Sequence, residues 1–379
     1  MGGPRGAGGR GSGMRHGLPM SWPRPAGTVL AGVALLAMVH AAAAQGAAPA
    51  AIDRLVTDTL SAQQVPAMTV AAAVSGRLVY SKAFGYADLE NTVPATPETR
   101  IRTASIAKSI TAVAAMTLVE AGKLDLDAPV QKYCPPFPLK QWPITTRELL
   151  SHTSGIRHYA EGEPEHTQHY RWMADGFALF AAEPLLFEPG SGFQYSTYGY
   201  TVAGCAIEGA AGTPFAEYVA AHVLGPAGMS HTVVDDVFAV VPHRARGYQK
   251  IHGEVRNAVL MDSSYKIPGG GYVTTAEDLA AFGQALLDGR LLPASAVAQM
   301  WVPTKMSGKD SYGLGFEVRD GGRFVMHSGG QAGTTTRLLI VPEAHLSLAI
   351  LANMDGVPLD DLQRAIVQQL HAPVPPDKR

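Results

Sequence analysis

Apolar and polar positions alternate along this chain in three different ways, and the changes of period mark its elements. Ile52, Leu55, Val56 and Leu60 recur at helical spacing, which predicts a first amphipathic helix. Two β-type runs follow, Ala67–Val74 and Leu78–Ala83, joined across Ser75-Gly76-Arg77 as in a hairpin. A long apolar-rich segment from Ser105 to Ala121 stops at Gly122, as a helix ended by glycine does. The middle of the chain mixes helices with long loops, among them the irregular stretch Gly155–His169. Thr275 followed by Asp278 reads as an N-cap with an acidic first turn, opening a helix through Leu287. Strands return at Leu314–Val318, Arg323–His327, Thr335–Val341 and Leu346–Asn353, and a helix over Leu359–Leu370 closes the chain.

A sheet begun near the N-terminus is therefore interrupted by a helical insertion and completed at the C-terminus. This pattern predicts an α+β fold, a mixed and largely antiparallel sheet flanked by helices beside a helical lobe. The sheet lobe is expected over about 51–100 and 268–379, the helical lobe over about 101–267, all within one domain spanning 45–379. No internal repeat is present.

The first 44 residues stand apart. They carry Arg5, Arg10, Arg15 and Arg24 and no acid, then an apolar run from Thr28 to Val39 and the small-residue stretch Ala41–Ala44. Basic start, short apolar middle and Ala-x-Ala-like end are the parts of a secretory signal peptide, so a secreted or periplasmic location is expected. An uncleaved membrane anchor and an organellar transit peptide are the competing readings. Of 30 basic residues four lie in this leader, and 32 acidic residues face the rest, so the remaining chain carries about −6 with His neutral. That balance gives no reason to expect nucleic acid or an anionic membrane as partner. Cys134 and Cys205 are the two cysteines. An oxidising compartment permits one bridge, but spacing alone does not bring their Cα atoms together, and they are read as inert thiols.

Ser-x-x-Lys occurs twice, at Ser105-Ile106-Ala107-Lys108 and at Ser263-Ser264-Tyr265-Lys266. Ordinary residue frequencies produce about one or two such matches in a chain this long, so context decides. On a helix, i and i+3 share a face and the lysine reaches the serine. The first copy opens a predicted helix. The second runs into Pro268 and Gly269-Gly270-Gly271, where no helix aligns the pair. Ser105 is thus the candidate nucleophile. Its hydroxyl needs a base, and Lys108 serves only if burial or a nearby cation brings its pKa down from ~10.4. The alternative is a serine that merely caps its helix, beside an exposed lysine.

Further along come Phe193-Gln194-Tyr195-Ser196-Thr197-Tyr198 and a strand entering His327-Ser328-Gly329-Gly330. Ser-x-x-Lys, a Tyr-Ser-Asn-like element and a Lys/His-Ser/Thr-Gly strand, in that order, resemble the serine β-lactamases and penicillin-binding proteins. Leu149-Leu150-Ser151-His152-Thr153-Ser154-Gly155, Glu188-Pro189-Gly190 and Gly269–Ala276 fit the class C branch, especially the mitochondrial β-lactamase-like serine proteases and their bacterial relatives. The resemblance covers about Asp53 to Asp355. It implies a β-lactamase/transpeptidase-like fold and an acyl-enzyme on Ser105, with Tyr195 as second acid/base group. It also implies an oxyanion hole from the N–H groups of Ser105 and Gly330. Ser328 and Gly329 would line the substrate strand, and Tyr159 is a candidate substrate contact.

Two positions depart from that pattern. Thr197 stands where Asn is usual, offering a shorter and less directional group to substrate. His327 replaces the common Lys, so a cation that would hold a substrate carboxylate becomes pH-dependent. The spacing of His152, His158, His166 and His169 fits no standard metal site, and these are read as loop histidines at the surface or facing substrate. No metal and no cofactor are expected. The function implied is hydrolysis of amides in peptides or peptide-like substrates, as a peptidase, D-Ala-D-Ala carboxypeptidase or β-lactamase-related enzyme. An esterase uses the same residues, and a non-catalytic scaffold that assembles with itself keeps only the fold.

Overall fold

Ala67–Val74 and Leu346–Ala352 are apolar at nearly every position, as strands covered on both faces must be, and they pair antiparallel at the centre of the sheet. The N-terminal strands are β1 (Ala67–Val74), β2 (Arg77–Asp88), β3 (Val93–Pro94) and β4 (Ile101–Arg102). The middle of the chain contributes β5 (Val233–Val234), β6 (Tyr248–Ile251), β7 (Glu254–Asn257) and β8 (Tyr272–Thr274). The last are β9 (Ser311–Tyr312), β10 (Glu317–Arg319), β11 (Phe324–Gln331), β12 (Thr334–Val341) and β13 (Leu346–Ala352). Eight of them form one antiparallel sheet in the order β3-β2-β1-β13-β12-β11-β10-β9. The sheet is thus begun at one end of the chain and completed at the other, as the pattern of elements predicts. Ser75 and Gly76 both take positive φ in the β1–β2 turn, which matches the twist of a tight hairpin.

This computed structural model describes residues 1–2, 48–304 and 311–375. The leader expected over 1–44 lies outside the described residues except at Met1 and Gly2. One face of the sheet is covered by the first helix, 48–63, and by the last, Asp360–Gln369, through Ile52, Val56, Leu362 and Ile366. The other face packs against helix Ala276–Leu287 through Leu279 and Phe282. Thr275 caps that helix as expected, its hydroxyl accepting from Asp278 N at 3.2 Å. Strand β10 begins later than the predicted Leu314, because Gly315 takes φ +79 and turns the chain first. Among the described residues no helix is long and apolar enough to cross a membrane.

Two helices carry the helical half, Ala107–Glu120 and Thr197–Ala211. The second approaches the segment Ile267–Gly270 so closely that a Cβ on Gly204 would come 2.2 Å from Pro268 Cγ. The cysteines depart from expectation. Cys134 and Cys205 are joined in a disulfide, their Cα atoms 5.4 Å apart across a separation of 71 residues. The helix Thr197–Ala211 and the loop after Val130–Lys132 meet in the core, a proximity that spacing in the sequence does not encode.

Candidate active site

Strand β4 pairs with β8, and Thr103 N donates to Tyr272 O at 2.8 Å, fixing the chain just ahead of Ser105. Ala104 then takes φ +46, a left-handed conformation that is costly for a residue with a side chain. The turn Ala104–Ile106 leads directly into helix Ala107–Glu120, and no side-chain cap closes the helix start. The capping alternative for Ser105 therefore does not hold. Instead Lys108, one turn on, places Nζ 3.1 Å from Ser105 Oγ.

Lys108 is fully buried. Its Nζ also lies 2.8 Å from Gly269 O and 3.1 Å from Thr197 Oγ1. A neutral amine has two N–H donors and one lone pair. It can donate to the Gly269 carbonyl and to Thr197 and accept the Ser105 O–H, which fills all three positions. Burial, and after it the positive charge of Lys266, hold the ammonium form well below its usual range. The geometry and the electrostatics agree on a lysine able to take a proton from Ser105.

Tyr195 completes the group. Its hydroxyl hydrogen-bonds Ser105, while burial keeps the phenol protonated far above its ordinary range. The ring lies 4.8 Å from Lys108 Nζ. His152 holds this tyrosine from both sides along the chain. Its carbonyl accepts from Gln194 N at 2.9 Å and its Nδ1 accepts from Ser196 N at 3.1 Å. The imidazole packs against Tyr195 at a tilt of 39°, with centroids 4.2 Å apart. Nδ1 accepts only when unprotonated, and burial keeps the ring neutral. His152 is thus a buried support, not the surface or substrate-facing group expected. His158 works similarly: its Nδ1 accepts from Thr197 N at 3.3 Å, and burial pushes its pKa down to about 4. His166 bonds Tyr170, and His169 pairs with Asp262 at 2.8 Å.

The strand expected to receive substrate runs beside the Ser105 turn. Thr336 Oγ1 donates to Thr103 O at 2.9 Å, and a Cβ on Gly329 would meet Thr336 Oγ1 at 2.2 Å and Thr103 O at 2.6 Å. Gly329 is therefore required for close packing of β11 on this turn. Gly330, by contrast, borders open space, with nothing within 4 Å of a Cβ built on it. Ser328 gives its hydroxyl to Glu317 at 2.8 Å.

His327 differs most from expectation. It is buried, and both ring nitrogens are occupied: Nδ1 donates to Ser328 O at 2.6 Å, so Nε2 accepts from Tyr312 O–H at 2.8 Å. Burial pushes its pKa down to about 4, against the pull of Glu317. A switch near pH 6.5 is thereby corrected to a ring neutral across the physiological range. Thr197, buried too, spends its hydroxyl on Lys108 rather than presenting it to substrate. Tyr159 is half-buried in an aromatic wall, 5.1 Å from the ring of Tyr198 and 4.4 Å from that of His158.

The second Ser-x-x-Lys copy does not bring its serine and lysine together, and Lys266 takes a different place. Ser264–Lys266 forms a short helical turn, and Lys266 is buried with Nζ 5.5 Å from the ring centroids of Tyr159 and Tyr265. Burial and the charge of Arg102 bring its pKa down to about 7. Its only advance signal was the second Ser-x-x-Lys itself. Glu317 and Tyr312 had none, since each acts through a fold contact.

The Beta-lactamase family model matches residues 52–372, nearly the whole described chain. The chain belongs to the beta-lactamase family. Among curated beta-lactamase relatives, the mitochondrial serine beta-lactamase-like protein LACTB of Homo sapiens is 32% identical, over 73% of this chain and 69% of its own length. Among solved structures, the octameric penicillin-binding protein homologue from Pyrococcus abyssi superimposes with a TM-score of 0.72 at 26% identity, covering 85% of this chain and 77% of that one. A D-stereospecific amidohydrolase from Streptomyces sp. gives 0.68 at 27% identity, covering 86% and 98% respectively.

Proposed function

We propose that this beta-lactamase-family chain is a serine hydrolase that forms an acyl-enzyme on Ser105, acting on amide bonds of peptides or peptide-like substrates. The observation that carries this reading is the buried Lys108 Nζ 3.1 Å from Ser105 Oγ. In the proposed cycle Ser105 Oγ attacks the carbonyl carbon while its proton passes to Lys108. The resulting oxyanion lies against the N–H groups of Ser105 and Gly330. As the carbon–nitrogen bond breaks, the proton held by Lys108 is relayed to the leaving nitrogen through the Tyr195 hydroxyl, which gives one proton and takes another and so stays a phenol. Water then attacks the ester, and the same groups return the proton to Ser105. No metal or cofactor enters these steps. The D-stereospecific amidohydrolase and penicillin-binding relatives support an amide substrate.

A second reading, an esterase, is favoured by His327. A neutral ring with both nitrogens occupied offers no cation to a substrate carboxylate, so the site suits uncharged acyl groups. A non-catalytic scaffold is disfavoured by the fully assembled Ser105, Lys108 and Tyr195 group. The octameric Pyrococcus abyssi homologue supports self-assembly of this chain as well. The Cys134–Cys205 bridge supports export to an oxidising compartment.

Intact-protein mass spectrometry after incubation with a penicillin, a fluorophosphonate and a D-Ala-D-Ala peptide tests the assignment. Wild type is expected to gain a covalent adduct and Ser105→Ala none. An adduct that persists in Ser105→Ala overturns Ser105 as nucleophile, and the pattern among the three reagents separates amide from ester chemistry.

A further inference from the structure

A second chemical feature lies outside the Ser105 group. Arg100, Arg102 and Arg244 line a cavity of about 200 Å³ that Ser105, Lys108 and Tyr195 do not reach. Asp235 is the carboxylate in its wall. It is buried and accepts from Arg102 Nε at 2.7 Å, while Arg244 Nη2 stands 3.8 Å from its other oxygen. Arg246, also in the wall, is occupied by Glu90 at 2.6 Å. Arg100 has no carboxylate within ion-pair distance among the described residues. The cavity therefore sets three guanidiniums against a single carboxylate.

Two of these guanidiniums are also held partly inside the protein. Nε of Arg100 and Nε of Arg244 are enclosed and have no hydrogen-bond partner among the described residues. An enclosed donor without an acceptor costs ~1–3 kcal/mol, and more when it is charged. The two arginines are held in register by backbone bonds, Arg100 N to His243 O at 2.8 Å and Ala245 N to Arg100 O at 2.9 Å. Their positions are set by the fold and not by a flexible surface loop.

The size of the space narrows the ligand. A cavity of about 200 Å³ holds the volume of roughly six or seven waters. That is below the ~300–1,000 Å³ of sites that enclose a drug-sized molecule. Three planar forks supply more donors than the two oxygens of a carboxylate accept, and they suit the oxygens of a phosphate. The rim is apolar, with Val237 and Leu260 in the lining and Leu260 83 % exposed.

We propose that this cavity is a phosphate-binding site, taking either free phosphate or the terminal phosphate of a larger molecule whose apolar part lies across Val237 and Leu260. Arg100 supplies a guanidinium that no carboxylate pairs among the described residues, and Arg244, whose Nη2 donates to Asp236 O at 2.7 Å, adds its charge beside it. Arg102 pairs one oxygen of Asp235 and Arg244 stands 3.8 Å from the other, so the charge of that carboxylate is offset and the cavity keeps a net positive charge. This site is independent of the acyl-transfer reading, and it can fail or hold without it.

Titration calorimetry on the full chain, at fixed ionic strength, tests the proposal with two probes: inorganic phosphate and water-soluble dihexanoyl phosphatidic acid. Saturable binding is expected, weakened at least about tenfold by Arg100→Gln and by Arg244→Gln, and unchanged by Ser105→Ala. Arg100→Lys keeps the charge but not the fork, so it should weaken binding less than Arg100→Gln while preserving the fold by circular dichroism. Tighter binding of the lipid phosphate assigns a headgroup as the source, and equal binding assigns free phosphate. Absence of saturable binding by either probe overturns the site, as does binding that survives both glutamine substitutions in folded protein.

Discussion

The chain contains the same four-residue pattern twice, and the two copies have come to different ends. At Ser105–Lys108 a short turn continues into a 14-residue helix, which holds serine and lysine on one face with Nζ 3.1 Å from Oγ. At Ser263–Lys266 the turn is three residues long and meets Pro268, and the backbone of Lys266 swings to φ −133 before the next turn begins. There Ser263 Oγ is enclosed without a partner among the described residues, and Lys266 points among aromatic rings. Both lysines are buried and both lose basicity, so desolvation alone does not distinguish them. What distinguishes them is whether the backbone after the serine keeps the i, i+3 geometry. The second lysine also acts on the first, because its charge is one reason that Lys108 favours the neutral amine.

The largest effect expected from this contrast comes from Lys108→Arg. A guanidinium stays protonated and cannot take the serine proton, so the rate of fluorophosphonate labelling should fall ~10²-fold or more. Labelling at the wild-type rate in that variant would mean that Lys108 is only structural.

An intermediate effect separates the surroundings of the two copies by their response to acid. His152, His158 and His327 cluster around Lys108 and are all held neutral, the latter two with pKa values near 4 and His152 well below its usual range. In the unfolded chain each takes a proton near pH 6.5, so the unfolded state binds more protons below that pH. Stability is therefore complete above about pH 6.5 and is lost as pH falls toward 4. With His158 discounted for its partial exposure, the loss between pH 6.5 and 5.5 should be roughly 2 to 3 kcal/mol, read from urea midpoints. A midpoint that stays level over this interval would show that these imidazoles are not held neutral.

The smallest effect belongs to Ser263→Ala. Removing an enclosed hydroxyl that has no partner among the described residues should leave stability unchanged or raise it slightly, by up to ~1 kcal/mol, and leave labelling intact. A melting temperature lowered by several degrees would reveal a partner for this hydroxyl and narrow the difference between the two copies.

Local pattern carried much of this architecture. Strand Ala67–Val74, the glycine stop at Gly122 and the Thr275 cap are decided by neighbours in sequence, and each was legible there. The family pattern likewise pointed to Ser105, Lys108 and Tyr195 as a group, and the fold brings those three together. The misreadings have a common cause. His327 was assigned a charge from its residue type, but Tyr312 and the Ser328 carbonyl settle its protonation, and Tyr312 arrives from another strand. The spacing of His152 fits no metal site and leaves it a loop histidine at the surface or facing substrate, yet its neighbours in space are the backbone groups on either side of Tyr195. The cysteines repeat the lesson, since pairing across the fold is not a local property.

The Cys134–Cys205 bridge gives the site a covalent topology. It closes a ring that contains His152, His158, Tyr195 and Thr197 and leaves Ser105, Lys108, Gly330 and His327 outside. Closing a loop of that length removes conformations from the unfolded chain worth about 4 kcal/mol in the chain-entropy picture. That advantage falls on the half of the site that supplies the tyrosine and its histidine supports. The other half is assembled from distant ends of the chain by the sheet alone. Reducing the bond would thus act unequally, loosening the wall that orients Tyr195 while the strand that carries Gly330 keeps every connection it had.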